Sequence, residues 1–271
     1  MVLASSREPR PSRLDEHGDA RAVVAWHDLE CGRYRADLPL WRELASAAAR
    51  AGSEQAASIL DVGAGSGRVA LDLARAGHRV SALERDAALL GALGERAVGL
   101  SVRALAGDAR SFRLRRRDFA LCLVPMQTVQ LLGGARGRGA FLRQARAHLR
   151  AGGLLACAIV TELEPFDCAH ERAGPAPETM RVEGTLYISR PLRVQVRRRS
   201  IRIERERLLV PAGRALQSAE TLRERDVVEL DRVSAAELER EGRAAGLRPE
   251  PARTVAATED HVGSTVVMLR A

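Results

Sequence analysis

The chain has 271 residues, 46% of them apolar and 3% aromatic, and its net charge of +8 comes from 43 cations, all of them arginine. That length allows one sizeable core, with or without an inserted segment. No apolar run reaches the eighteen or so residues of a membrane span, and the N-terminus lacks the core of a signal peptide. A charge made of arginine alone reads as a compositional bias of the source. With few aromatic platforms for stacked bases, nucleic acid is not an expected partner.

Residues 1–20 are polar, with Pro9, Pro11 and Gly18, and are expected to form a loose arm. Trp26, Tyr34 and Trp41 follow, and Pro39 suits the first turn of a helix running to about Arg50. The central stretch is Ile59-Leu60-Asp61-Val62-Gly63-Ala64-Gly65-Ser66-Gly67, after which Val69, Leu71, Leu73 and Ala74 continue as an apolar helical pattern that Gly77 stops. A strand, a glycine turn and a helix in this order open a βαβ unit. A dinucleotide turn would place its last glycine at residue 68, which is Arg68, so the spacing suits a ligand without a pyrophosphate. The next strand, from His78 to Leu83, ends in Glu84, where a carboxylate is placed to accept both hydroxyls of a ribose. Arg85-Asp86 begins a helix with Leu89, Leu90 and Leu93 on its apolar side, and a third strand, from Val102 to Leu105, leads into Gly107-Asp108-Ala109.

Asp61 through Gly67, then Glu84, then Gly107-Asp108-Ala109 resemble, in order and spacing, the successive motifs of class I S-adenosylmethionine-dependent methyltransferases. The resemblance spans roughly residues 20–160 and again the last forty or so. It implies an α/β three-layer Rossmann-like sandwich with a seven-stranded, mostly parallel sheet whose last strand is antiparallel and lies between the fifth and sixth. It also implies S-adenosylmethionine as cofactor, held by Asp61, Gly63, Ala64, Gly65, Gly67, Glu84, Arg85, Asp108, Ala109, Val124 and Met126, with Tyr34 facing its methionine end. In the family the acid at Asp108 accepts from the adenine amino group, and the methyl group lies at the end of the fourth strand. Two simpler readings stand beside these: Tyr34 as an anchor of its helix, and Asp108 as an ordinary turn or cap acid.

The fourth strand, Phe119 to Val124, is unbroken apolar, as a strand buried on both faces should be. Its tip, Pro125-Met126-Gln127-Thr128, precedes helical Val129, Leu131 and Leu132. Ala120 stands where the family commonly has an acid, and there is no Asn/Asp-Pro-Pro-aromatic motif of base-modifying enzymes. Gln127 and Thr128 are pocket candidates, Thr128 equally a helix cap. A Gly/Arg-rich link (Gly133 to Gly139) leads to a helix from Ala140 to Leu149. Arg150-Ala151-Gly152-Gly153 then reads as a C-cap turn into a strand from Leu154 to Val160.

From residue 161 the pattern changes to a proline-rich loop at 163–178 and then to period-two runs at 185–188, 192–196, 200–204 and 206–210. Residues 161–233 are expected to be a β-rich insertion over the substrate side of a core made of 21–160 and 234–271. Arg197-Arg198-Arg199 reads as a turn or as an exposed edge protected by charge. Ser234 and Glu237 form a capping-box pattern, the helix ends at Gly246, and strands follow at 247–254 and 264–269. His261 lies in the loop between them, a surface histidine or a base. Cys31, Cys122, Cys157 and Cys168 lack metal-ligand spacing and read as free thiols of a cytoplasmic protein.

The expected activity is methyl transfer to a small-molecule acceptor without a metal; a macromolecular acceptor and a non-catalytic binding protein are the alternatives. The catalytic group and the oligomeric state are not legible.

Overall fold

The computed structural model describes residues 16–51, 57–169, 174–259 and 261–271. In chain order the elements are α1 (Glu16–His27), continued by one π-helical turn (Asp28–Gly32), α2 (Leu38–Arg50), β1 (Ser58–Val62), α3 (Arg68–Arg75), β2 (Arg79–Glu84), α4 (Ala87–Arg96), β3 (Val102–Ala106) and β4 (Phe119–Val124). After a 3-10 turn (Thr128–Leu131) come α5 (Gly134–His148), β5 (Leu149–Ile159), β6 (Phe166–Asp167), β7 (Glu178–Val182), β8 (Thr185–Val196), β9 (Ser200–Val210), β10 (Leu222–Asp231), α6 (Ala235–Ala244), β11 (Arg248–Val255) and β12 (Ser264–Arg270).

The main sheet has the order β11-β12-β5-β4-β1-β2-β3. β1 pairs in parallel with β2 and β4, while β12 runs antiparallel to both β5 and β11. This is the expected seven-stranded sandwich. Every residue of β1 and β4 is buried, because α2, α3 and α4 cover one face and α5 and α6 the other. Trp41, Leu73 and Leu93 fill one layer; Phe141, Leu142 and Leu238 fill the other. Strand order reverses between β1 and β4, and a ligand crevice in such sheets opens beyond the strand ends at that point.

The second sheet, from residues 166–231, is antiparallel with order β10-β9-β8-β6, and β7 also pairs with β8. Its joint to the core is a buried amide: Gln130 Nε2 donates to the carbonyls of Val160 (3.1 Å) and Asp231 (2.9 Å), and its Oε1 accepts from Val160 N.

Several local expectations are corrected. Residues 1–15 lie outside the described residues, but 16–20 belong to α1 rather than to a loose arm. The helix expected from Ala140 begins at Gly134, and Gly137 is required inside it because a Cβ there would collide with the Leu132 carbonyl. That helix ends at His148, so Gly152 (φ +71°) is not its C-cap but a bend within β5. The four short runs at 185–210 are two long strands. β8 passes through Pro191 on a register shift, and β9 is continuous across Arg205. β10 escaped notice because four of its first five residues are charged. Trp26 pins α1 to the second sheet, edge-on to Tyr187 at 4.9 Å. The Ser234–Glu237 capping box, the arginine turn at 197–199 and the free thiols are as expected.

Candidate active site

The glycine turn after β1 sits at the reversal point. Gly63, Gly65 and Gly67 have φ of +71°, +57° and +104°, backbone that a side chain strains, so the three glycines are conformational requirements. Gly63 N and Ala64 N donate to the Leu83 carbonyl at 2.9 and 3.1 Å, tying the turn to the tip of β2. Glu84, 8% exposed, holds it from the other side. Its Oε2 accepts from Gly65 N (2.9 Å), and its Oε1 accepts from Arg85 N and Asp86 N (2.8 and 2.9 Å). Asp86 in turn caps α4.

Turn amides were expected to face a ligand. Those of residues 63, 64, 65 and 67 all have partners within the chain, Gly67 N on the Ala64 carbonyl. The reason is geometric: a turn this tight folds its own N–H groups back onto neighbouring strand tips.

Asp61 is the exception to this self-sufficiency. It is fully buried at the end of β1, and neither carboxylate oxygen has a hydrogen-bond partner. Burial pushes its pKa up to about 7, against the pull of Arg68; the Ala70 amide favours the anion but falls short of hydrogen-bond geometry. A buried carboxyl with free lone pairs beside an open helix N-terminus is a ready acceptor for an ammonium or another donor.

Arg68, directly after the turn, was not singled out from sequence. Its guanidinium makes two bonds to Asp37 (2.5 and 2.8 Å), donates to the Tyr34 carbonyl (2.9 Å) and lies 5.3 Å from the Tyr34 ring centroid. The Tyr34 ring also meets His261, with centroids 4.9 Å apart and the rings tilted by 32°. Tyr34 therefore anchors this corner, and His261 is a stacking partner instead of a bare surface residue.

Two further side chains lie on the turn. His27 packs against Gly65 and Thr128 against Gly63, each in the space a Cβ would need. Ser66 Oγ gives its proton to Asp28 Oδ1 (2.6 Å), so His27 Nδ1, 3.2 Å from Ser66 Oγ, must be the donor there, leaving Nε2 with its lone pair. Burial lowers the His27 pKa and keeps the ring neutral. Arg96 closes the cluster with two bonds to Asp28 (2.9 and 2.5 Å). No sequence pattern announced His27; the π-helical turn that follows it aims it.

Gly107 N donates to the Glu84 carbonyl (3.0 Å), which sets the Asp108 turn beside the β2 tip. The Asp108 carboxylate is held by Arg110, through its amide (2.8 Å) and its guanidinium (2.5–3.2 Å), and these bonds bring its pKa down to about 2. Both of its oxygens accept from Arg110, and the side chain stays 33% exposed. Ala109 packs at the edge of the core, Val124 is fully buried at the tip of β4, and Met126 holds an unusual φ of +53°. Such outliers cluster where surrounding structure imposes them at functional sites.

S-adenosylmethionine carries a cationic amino-acid end and a ribose with two free hydroxyls. The unpartnered Asp61 suits its cationic amino-acid end, and Glu84 at the neighbouring strand tip suits its sugar hydroxyls. His27 and Thr128 must turn aside for anything to lie along the turn. No group of three or more metal-ligating side chains occurs among the described residues.

Strand order, reversal point and glycine turn are those of a three-layer Rossmann-like sandwich whose last strand is antiparallel. Residues 59–153 match the family model of a methyltransferase domain. Among solved structures the chain is similar to CalS10, an amino pentose methyltransferase from Micromonospora echinaspora: 24% identity, TM-score 0.62, 97% of this chain and 100% of that one. It is also similar to KedS8, a sugar N-methyltransferase of a Streptoalloteichus species: 19% identity, TM-score 0.67, all of both chains. DesVI of Streptomyces venezuelae gives 21% identity and TM-score 0.65 over 94% and 99%. No curated protein matches the sequence. Over residues 59–153 the chain is thus similar to a methyltransferase domain, and its overall fold is the one these solved structures share.

Proposed function

We propose that the chain transfers the methyl group of S-adenosylmethionine to a small polar acceptor, releasing S-adenosylhomocysteine. The observation that carries this reading is the pair of acids at adjacent strand tips, Asp61 unpartnered and Glu84 braced by three amides, flanking a glycine turn at the reversal point. In this reading Asp61 takes the amino-acid end, Glu84 the ribose, Gly63, Ala64, Gly65, Gly67 and Arg85 the backbone contour, Asp108 and Ala109 the base, and Val124 and Met126 the methyl end. Tyr34 acts by fixing Arg68. Solved neighbours named for an amino pentose and for a sugar nitrogen support a small, amine-bearing acceptor. Residues 161–233 cover the acceptor side, and the free thiols suit a reducing cytoplasm.

The bound cofactor supplies a sulfonium-activated methyl group. The chain's part is then to align the nucleophile with it and to exclude water, and a base is needed only where the acceptor must shed a proton.

Titration calorimetry with S-adenosylmethionine and NAD side by side tests the reading. Binding of the first alone is expected, lost in Asp61→Ala and Glu84→Ala variants that keep the wild-type circular dichroism. Wild-type indifference to S-adenosylmethionine, or full binding by both variants, would sink it.

A further inference from the structure

The inner face of the second sheet carries a row of charge that the cofactor site does not use. Cross-strand register puts Glu178 beside Ser189, Ser189 beside Arg207, and Arg205 beside Asp226. Partners in register point to the same face. That face looks toward α1 and the π-helical turn, because Trp26 stacks on Tyr187 and lies 5.4 Å under Arg207. Glu30 of the π-helical turn takes two bonds from Arg207 (2.8 and 2.6 Å) and one from Ser189 (2.7 Å). This end of the row is satisfied.

One register step along, the row is not. Arg205 and Asp226 stand opposite each other, yet they do not pair. Asp226 turns Oδ1 to Arg207 at 3.1 Å and leaves Oδ2 buried without a hydrogen bond. Arg205 Nη1 is also buried without one; the Glu178 carboxylate, 3.9 Å away, is out of hydrogen-bond range. A buried donor and a buried acceptor left open side by side are costly in a folded protein, and the cost is normally avoided by pairing them. Here both lack a hydrogen-bond partner.

Their position is specific. Arg205 and Glu178 lie within electrostatic reach of Cys31, as does Arg68, the residue that follows the glycine turn. His261 and Arg33 act likewise on Glu178. Beyond Arg205 and Asp226 the same face turns apolar, with Val194, Ile201, Ile203, Val228 and Leu230 in one cluster with Phe166. An unpaired donor and an unpaired acceptor thus sit between a braced end and an apolar end of a sheet face that meets α1 and the π-helical turn.

We propose that Arg205 and Asp226, with Glu178 at the rim, recognise the acceptor, and that the acceptor presents an amine beside a hydroxyl, as an amino sugar does. Asp226 Oδ2 takes a proton donor such as an ammonium or a hydroxyl; Arg205 Nη1 donates to a neighbouring oxygen. This assignment rests on the methyltransferase reading and narrows it to an acceptor class and to residues.

The test uses wild-type protein saturated with S-adenosylhomocysteine, titrated with 2-, 3- and 4-amino methyl hexosides and their all-hydroxyl counterparts. At least one amino glycoside is expected to bind, and its hydroxyl counterpart more weakly. Asp226→Asn and Arg205→Gln should each weaken that binding tenfold or more while S-adenosylmethionine affinity moves less than twofold. Arg223→Gln, whose ion pair with Glu206 lies on the opposite face, serves as the control. Asp226→Asn is isosteric and carries the test alone if Arg205→Gln disturbs folding. Wild type that binds S-adenosylhomocysteine but no amino glycoside overturns the acceptor class. Variants that bind the glycoside as wild type does overturn the residues. Failure of the wild type to bind either cofactor form brings down the methyltransferase reading itself and this one with it.

Discussion

In the main sheet, β1 and β4 bury all their side chains, and the sole charge among them is Asp61. In the second sheet, β9 alternates Ile201, Ile203, Arg205, Arg207 on its inner face, and neighbouring strands answer with Asp226, Glu224 and Glu178. The two regions carry buried polar groups for different reasons. The parallel sheet is covered by helices on both sides, so a charge survives in it only at a strand tip, where a ligand crevice opens. The antiparallel sheet faces the core on one side and solvent on the other, so ionic rows form readily, and only their gaps carry information.

The largest effect is expected where the main sheet's surroundings hold a paired charge. Arg68 and Asp37 are 6% and 2% exposed, and Arg68→Ala strands a buried carboxylate. A loss of roughly 3–5 kcal/mol is expected in urea unfolding. A loss below ~1 kcal/mol would show that the corner relaxes and would erase the contrast with the second sheet.

Asp61→Asn comes next and works in the opposite direction. The folded pKa of Asp61 lies near 7, above its unfolded value of 3.8. The native state therefore holds the extra proton, and this group's contribution is fully present below pH 3.8 and lost as pH rises through 7. Asp61→Asn should be more stable than wild type at pH 8 by on the order of 2–4 kcal/mol, with the advantage shrinking toward pH 4. Equal stability at both pH values would mean that Asp61 has a partner after all. The same variant should bind S-adenosylmethionine poorly, separating stability from function at a single residue.

His27→Ala removes the ring packed on Gly65. S-adenosylmethionine binding is expected to tighten a few-fold in calorimetry, since no side chain needs to be displaced; weaker binding would make His27 a contact instead of a cover. The smallest effect belongs to the outer face of the second sheet. Arg223 is 66% exposed in its pair with Glu206, and Arg223→Gln should change the unfolding free energy by less than about 1 kcal/mol.

The sequence alone determined the main sheet and the location of the turn. Apolar runs at 59–62 and 119–124, glycines with positive φ at 63, 65 and 67, and acids at 61 and 84 are local signals, because strand burial and backbone conformation are written residue by residue. Only the tertiary structure decided which groups meet. His27 reaches Gly65 across 38 positions, Glu30 reaches Arg207 across 177, and Arg205 is left facing an Asp226 it does not pair with. Strand β10 and the part played by Arg68 were likewise hidden, since a charged strand looks like a loop until its partner is known. Pairing between distant segments depends on how two sheets and a helix close on one another, and the chain's periodicity does not encode that closure.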